Sequence, residues 1–329
     1  MDIQLNEFQL ALQSGVRKFV EQDVIPDAMR YEHNDEYPHV IVNKMKDLGY
    51  FGALVPEEFG GSQMDAMSLV VFTEELSRGW MSLTGVLGSH SMVGWLIDKY
   101  GNDSQRKNWL PKIAKGEMRF GIGITEPDGG SDVASLRTSA MRDGQNFILN
   151  GSKMFITNSE NATHFGVMVR TNSNADKPHR GISCILVKRD LDGFKVSRHL
   201  DKLGYKGIRT GELNFQDCAV GVSNLIGEEN RGFQQLMSAL ELGRIQVASR
   251  ALGLHRACLE ESLSYAQQRK SMGKPIVEYQ AIQLKLADMA TSLEAARQLT
   301  YKAAMMKDND QRCDMEAGMA KLFASDACQ

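Results

Sequence analysis

The residues best suited to chemistry stand in the stretch GIGITEPDGGSDVAS, Gly121 to Ser135. Thr125 and Ser131 bring hydroxyls to a segment where Gly129 and Gly130 accept positive φ and let a ligand approach backbone N–H groups. A turn of this kind, directly behind an apolar run, suits a polar, planar or anionic ligand. The same composition also fits an ordinary connection between strands, since Gly, Asp and Ser dominate turns. A second group is FIT (Phe155, Ile156, Thr157), which reads as a strand core or as an aromatic wall. In ELGR, Glu241 and Arg244 stand three residues apart on a helix, so they can face one cleft or form an ion pair. QRKS, around Arg269, reads alone as a solvated basic turn.

Other chemistries lack their residues. The chain has no G-x-x-x-x-G-K-[ST], no strand-to-helix G-x-G-x-x-G, no H-E-x-x-H and no G-x-S-x-G. Its seven histidines are scattered, His33 and His39 being the closest pair, so metal and triad chemistry are not expected.

The elements that must position these groups change along the chain. In the first ~118 residues Phe8, Leu12, Val16 and Phe19 recur at helical spacing, and DAMSLVVFTEELSRG and SMVGWLIDKYG repeat that rhythm. From about Phe120 short Val-, Ile- and Phe-rich runs alternate with Gly, Asn and Asp; RDGQNF and NGSK read as hairpin turns. After LIGEENRGF the helical period returns, with Phe233, Leu236, Met237 and Leu240 on one face and Ile282, Leu286, Met289 and Leu293 on another. The expected fold is therefore α+β: an N-terminal helical domain (1–118), a middle β-barrel or sandwich domain (119–226) and an incomplete C-terminal helical-bundle domain (227–329).

Composition narrows the partners. Charged residues make up 24% and the formal net charge is −3, which speaks against nucleic acid, and no apolar run reaches the ~18 residues of a membrane span. Five cysteines, odd in number and without a C-x-x-C pair, indicate a reducing compartment. The acidic, periodic N-terminus lacks the features of a leader, so the cytoplasm is expected, with a processed mitochondrial matrix protein as the alternative.

Taken together, VPEEFGG (Val55–Gly61), EELSRG (Glu74–Gly79), WLPKIAKGE (Trp109–Glu117), GITEPDGGSDVAS, NGSKMFITN (Asn150–Asn158), LIGEENRGF and QRKSMGKPIVEYQAIQ (Gln268–Gln283) make the sequence resemble the acyl-CoA dehydrogenase family over nearly its whole length. The resemblance implies FAD as cofactor, an acyl-CoA substrate, an electron-transfer flavoprotein as acceptor and a homodimer or homotetramer. It places Ile122, Ile124, Thr125, Gly130 and Ser131 along the flavin, with Phe155, Ile156 and Thr157 as a second wall. Phe155 stands where many members carry Trp, which keeps stacking and removes an indole donor. Arg269, Ser271, Met272, Tyr279 and Gln280 correspond to contacts with the pyrophosphate and adenosine half, contributed by a neighbouring subunit. Met272 stands where Phe is usual. Ser131, Glu241 and Arg244 correspond to the acyl-CoA mouth.

The implied reaction is α,β-dehydrogenation to the trans-2-enoyl-CoA, with a carboxylate taking the α-proton. Most members carry that Glu in a segment expected beyond Gln329, and a minority carry it at the position of Gly243; Glu241 lies about 200° round the helix from that face. Truncation of a longer polypeptide is the expectation, and without the base proton abstraction should fall by about 10²–10⁴-fold. A superfamily oxidase or flavin monooxygenase, or a silent acyl-CoA or flavin binding protein, are the alternatives.

Overall fold

The computed structural model describes residues 4–329. Helix α1 (Glu7–Phe19) starts at a reciprocal cap: the Asn6 side chain accepts from Gln9 N–H at 2.8 Å and the Gln9 side chain accepts from Asn6 N–H at 3.1 Å. A π-turn at Val20–Val24 carries it into α2 (Ile25–His33). Val16 and Phe19 are buried as their spacing requires, but Phe8 is 56% exposed, because the inward face begins at Gln9. After α3 (His39–Asp47) comes α4 (Ala66–Tyr100), which is two helices: Trp80 is extended (φ −167°, ψ 109°) between the two periodic segments. Helix α5 (Asp103–Ala114) repeats the reciprocal cap with Asn102 and Gln105.

Eight strands follow as one sheet: β1 (Phe120–Gly123), β2 (Ser139–Asp143), β3 (Asn146–Thr157), β4 (His164–Arg170), β5 (Ile182–Lys188), β6 (Phe194–Ser197), β7 (Thr210–Gly221) and β8 (Leu225–Ile226). The order is β6-β7-β3-β2-β4-β5-β8, with β1 parallel to β4. RDGQNF is the β2–β3 hairpin, with Asp143 opposite Asn146 and Gly144 at φ +57°. NGSK is not a turn. Strand β3 runs straight through it, and Gly151 takes up a register shift against β7 at φ +136°, where a Cβ would stand 2.8 Å from Thr138 Cα. The Asn-Gly pair marks a bulge here because the strand continues to be paired on both sides.

The chain then forms α6 (Gly232–Gln268), a short hairpin of β9 (Lys270–Ser271) and β10 (Lys274–Pro275), α7 (Gln280–Asp308) and α8 (Asp314–Ala327). Two compact units result: Tyr31–Gln63 with Gly85–Leu240, which holds the sheet, and a helical unit made of the other described residues. In the sheet unit Phe147, Leu149, Phe165, Val167 and Leu213 are buried to 1% exposure or less, so one face of β3, β4 and β7 is closed core. In the helical unit Gly79 and Gly253 permit close crossings: a Cβ would lie 2.5 Å from Val20 Cγ1 at the first and 2.3 Å from the Glu74 carbonyl at the second. That unit is tied by fully buried Glu75, which accepts from Arg17 and Arg256 at 2.7 Å each, and by Glu74, which accepts from Arg297 at 2.9 Å.

Candidate active site

Beyond β1 the chain leaves the sheet at Ile124 and folds back on itself: Glu126 N–H donates to Gly129 O at 2.9 Å and Gly129 N–H to Glu126 O at 3.2 Å. Gly130 then passes close to Thr125, where a Cβ would meet Thr125 Cγ2 at 3.2 Å. This turn is locked to β3 by Met154 N–H, which donates to Thr125 O at 2.8 Å. The two segments singled out in the sequence, 122–131 and 155–157, are therefore one continuous ledge.

The ledge rests on an ion pair. Lys153, 0% exposed, donates to Glu126 Oε1 at 2.7 Å and to Ile124 O at 3.2 Å, while the Glu126 carboxylate also accepts from Arg137 N–H at 2.6 Å and Thr138 N–H at 2.8 Å. Burial pushes the Glu126 carboxyl up, but hydrogen bonds from Lys153, Thr138 and Arg137 outweigh it and hold it at about 2. Burial lowers Lys153 to about 8 against the pull of Glu126, so both groups are charged at neutral pH. Sequence reasoning missed both residues. The available signal was a lysine at an inward register of an alternating strand, which demands a buried acceptor.

Phe155 is the ledge's most unusual residue. It sits at a second irregularity of β3 against β7, between Lys153 and Ile156, with φ +61° and 59% exposure. Left-handed backbone is costly for a bulky residue, and such strain collects where function over-determines it. The bulge turns the ring outward while Ile156, 2% exposed, turns into the sheet core, so Ile156 can meet a ligand only through its backbone. Asn158, also left-handed at φ +63°, pins the strand end by donating to Gly85 O at 3.0 Å.

The donor chemistry fits a flavin. The hydroxyls of Thr125, Ser131 and Thr157 make no hydrogen bond among the described residues, and Thr125 and Thr157 stand next to an exposed aromatic ring that could stack on a planar one. Ile122 and Ile124 are half-buried apolar neighbours of the same strip.

The other expected site residues belong to the helical unit. Arg269, Ser271, Met272, Tyr279 and Gln280 surround the β9–β10 hairpin, where Met272 and Gly273 are left-handed (φ +48° and +82°) and Met272 is 93% exposed. Tyr279 is held there, its hydroxyl donating to Ser271 O at 2.8 Å and its ring 4.4 Å from Lys274 Nζ. On α6, Glu241 pairs with Lys307 at 2.9 Å rather than with Arg244, and Arg244 makes no ion pair among the described residues. Gly243 is partly exposed between them. Among the described residues no group of His, Cys, Asp and Glu could hold a metal, and no helix is long and apolar enough to cross a membrane.

A strained outward aromatic and hydroxyls without hydrogen-bond partners among the described residues stand together at a turn that follows a sheet strand, an arrangement able to receive a flat ligand. Three family profiles match in chain order: the acyl-CoA dehydrogenase N-terminal domain over residues 6–117, the middle domain over 121–218 and the C-terminal domain over 230–329. An acyl-CoA dehydrogenase of Bacillus subtilis is 40% identical over 320 residues, covering 97% of this chain and 84% of the relative. The structure of butyryl-CoA dehydrogenase from Megasphaera elsdenii superimposes with TM-score 0.95 at 33% identity, over 99% of this chain and 86% of that one. A chain in the structure described as the electron transferring flavoprotein of Acidaminococcus fermentans matches with TM-score 0.94 at 35% identity, over 99% and 86%. The chain belongs to the acyl-CoA dehydrogenase family, which consists of FAD-dependent oxidoreductases.

Proposed function

We propose that this chain carries out the α,β-dehydrogenation of an acyl-CoA thioester to the trans-2-enoyl-CoA and passes the electrons to an electron-transfer flavoprotein. The observation that supports it most is Phe155, strained and exposed, on a ledge tied through Met154 and Lys153 to the Thr125 turn. When bound, FAD supplies the acceptor for the β-hydride. In this reading Phe155 stacks on the isoalloxazine and shields it from water, while the hydroxyls and backbone N–H groups of Thr125, Ser131 and Thr157 hold its polar edge and stabilise negative charge there. Arg269 offers a planar fork to the diphosphate, with Ser271, Met272, Tyr279 and Gln280 around the adenosine, in a neighbouring copy of the chain.

Arg244, free of an ion pair, is the residue assigned to the thioester end of the substrate. Glu241 reaches the pantetheine only if it gives up Lys307. Gly243 carries no carboxylate and therefore does not take the α-proton. The butyryl-CoA dehydrogenase of Megasphaera elsdenii and the Acidaminococcus fermentans structure support a short acyl chain and the flavoprotein acceptor respectively.

The test is an anaerobic absorbance spectrum of the FAD-loaded protein during addition of acyl-CoAs from short to long. Slow bleaching by a short-chain thioester, without oxygen uptake in air, is expected, since Gly243 offers no carboxylate for the α-proton. A spectrum perturbed but never bleached would replace this reading by a binding protein, and oxygen consumption would replace it by an oxidase.

A further inference from the structure

Arg244 stands among acids and yet makes no ion pair among the described residues. Two carboxylates are near it. Glu241 precedes it by three residues on α6, so the two side chains are neighbours on one helix face. Asp314, the first residue of α8, is the other: the hydrogen bond from Arg312, then the charge of Arg244, hold its carboxyl below the usual range.

Each acid is taken by another cation instead. Lys307 donates to Glu241 Oε2 at 2.9 Å, and both side chains are only 23% exposed, so solvent screens the pair in part. Arg312 meets Asp314 through two contacts, Nε to Oδ1 at 2.6 Å and Nη2 to Oδ2 at 3.1 Å. The place of Lys307 is fixed through the next residue. Asp308 accepts from the Ala66 and Met67 N–H groups at 2.6 Å and 3.0 Å, which ties the end of α7 to the start of α4. The lysine is thus held beside α6 by contacts that do not involve Glu241.

Given that Arg244 serves the thioester end of the substrate, as in the proposed function, we propose that Lys307 is a positioning residue that keeps the Arg244 guanidinium free by holding Glu241. Without the ammonium, Glu241 is a partly buried carboxylate with a cation one helical turn away, and it turns to Arg244. The incoming thioester carbonyl must then displace a full negative charge. A neutral acceptor competes poorly for a guanidinium against a carboxylate.

The experiment titrates crotonyl-CoA, a four-carbon trans-2-enoyl thioester that cannot reduce flavin, into the FAD-loaded protein and reads the dissociation constant from the perturbed flavin band. Lys307→Met should raise that constant by about 3-fold or more. The same substitution made on top of Glu241→Gln should leave the constant where Glu241→Gln alone puts it. A structural loss at α7, or direct attraction of Lys307 for the anionic CoA, would weaken binding in both backgrounds and overturn the proposal, as would a smaller loss in Lys307→Met. Should Lys307→Met lose its flavin spectrum, Lys307→Gln takes its place in the same cycle. Arg244→Met separates this role from the proposed function on which it rests. If that variant binds as tightly as the wild type, or the wild type does not respond to crotonyl-CoA, the assignment of Arg244 itself falls and the role of Lys307 with it.

Discussion

Phe155 and Lys153 stand two residues apart on one strand and do opposite work. Phe155 faces out at a backbone cost, and Lys153 faces in at a desolvation cost. Phe155→Ala should leave the fold intact, because the ring has no core to lose, but weaken FAD retention; the check is the flavin released on gel filtration. Phe155→Trp should keep the cofactor. Lys153→Met leaves the Glu126 carboxylate buried without its cation, which should cost about 3–5 kcal/mol and loosen the ledge. Thermal melts of apo and FAD-loaded protein would separate the two effects, with the larger loss expected in the loaded form. The sign of the pH dependence follows from Glu126, held at about 2. Its stabilisation is complete above the ordinary carboxylate range and is lost as pH falls from there toward 2, so acid should release flavin before global unfolding.

At the scale of elements, α4 carries two adjacent acids, Glu74 and Glu75, into the helical unit, where arginines from α1, α6 and α7 meet them. Burial pushes the Glu75 carboxyl up, but hydrogen bonds from Arg17 and Arg256 outweigh it and hold it below the usual range. Glu75→Gln should therefore destabilise by about 3–5 kcal/mol, since three arginines lose their common charge partner. Urea unfolding at neutral pH would measure this, and a cost under about 1 kcal/mol would show that solvent already screens the cluster. On α6, Gly243→Glu supplies a carboxylate at one of the two positions expected for the base. It should speed flavin bleaching by acyl-CoA by about 10²-fold or more, read by stopped-flow absorbance.

For the whole molecule, the ledge and the Arg269 hairpin belong to different compact units. If a second copy completes the site, as the proposed function requires, FAD affinity should depend on protein concentration. Arg269→Ala should weaken FAD binding in the oligomer without altering any contact of Phe155. Sedimentation with flavin absorbance as the signal tests this, and flavin retained by a monomer would refute it.

Residue order and type were enough to make the α, β, α succession legible, because the apolar period changes from helical to alternating near Phe120 and back after LIGEENRGF. They also marked Thr125, Ser131, Phe155 and Thr157, since hydroxyls, glycines and an aromatic at those places carry their chemistry in their side chains. The break at Trp80, the bulge hidden in NGSK and the outward turn of Phe155 were not legible. Each depends on what the neighbouring strand or helix does, and a local pattern holds no record of that. The Lys153–Glu126 pair was half legible: the inward register of Lys153 asks for a buried acceptor, but only the approach of the 124–130 turn to β3 makes that acceptor Glu126. The same limit hid the partner of Glu241, which lies 66 residues away at Lys307 and not one helical turn away at Arg244. Sequence determined which groups the protein possesses, and tertiary structure decided which of them meet.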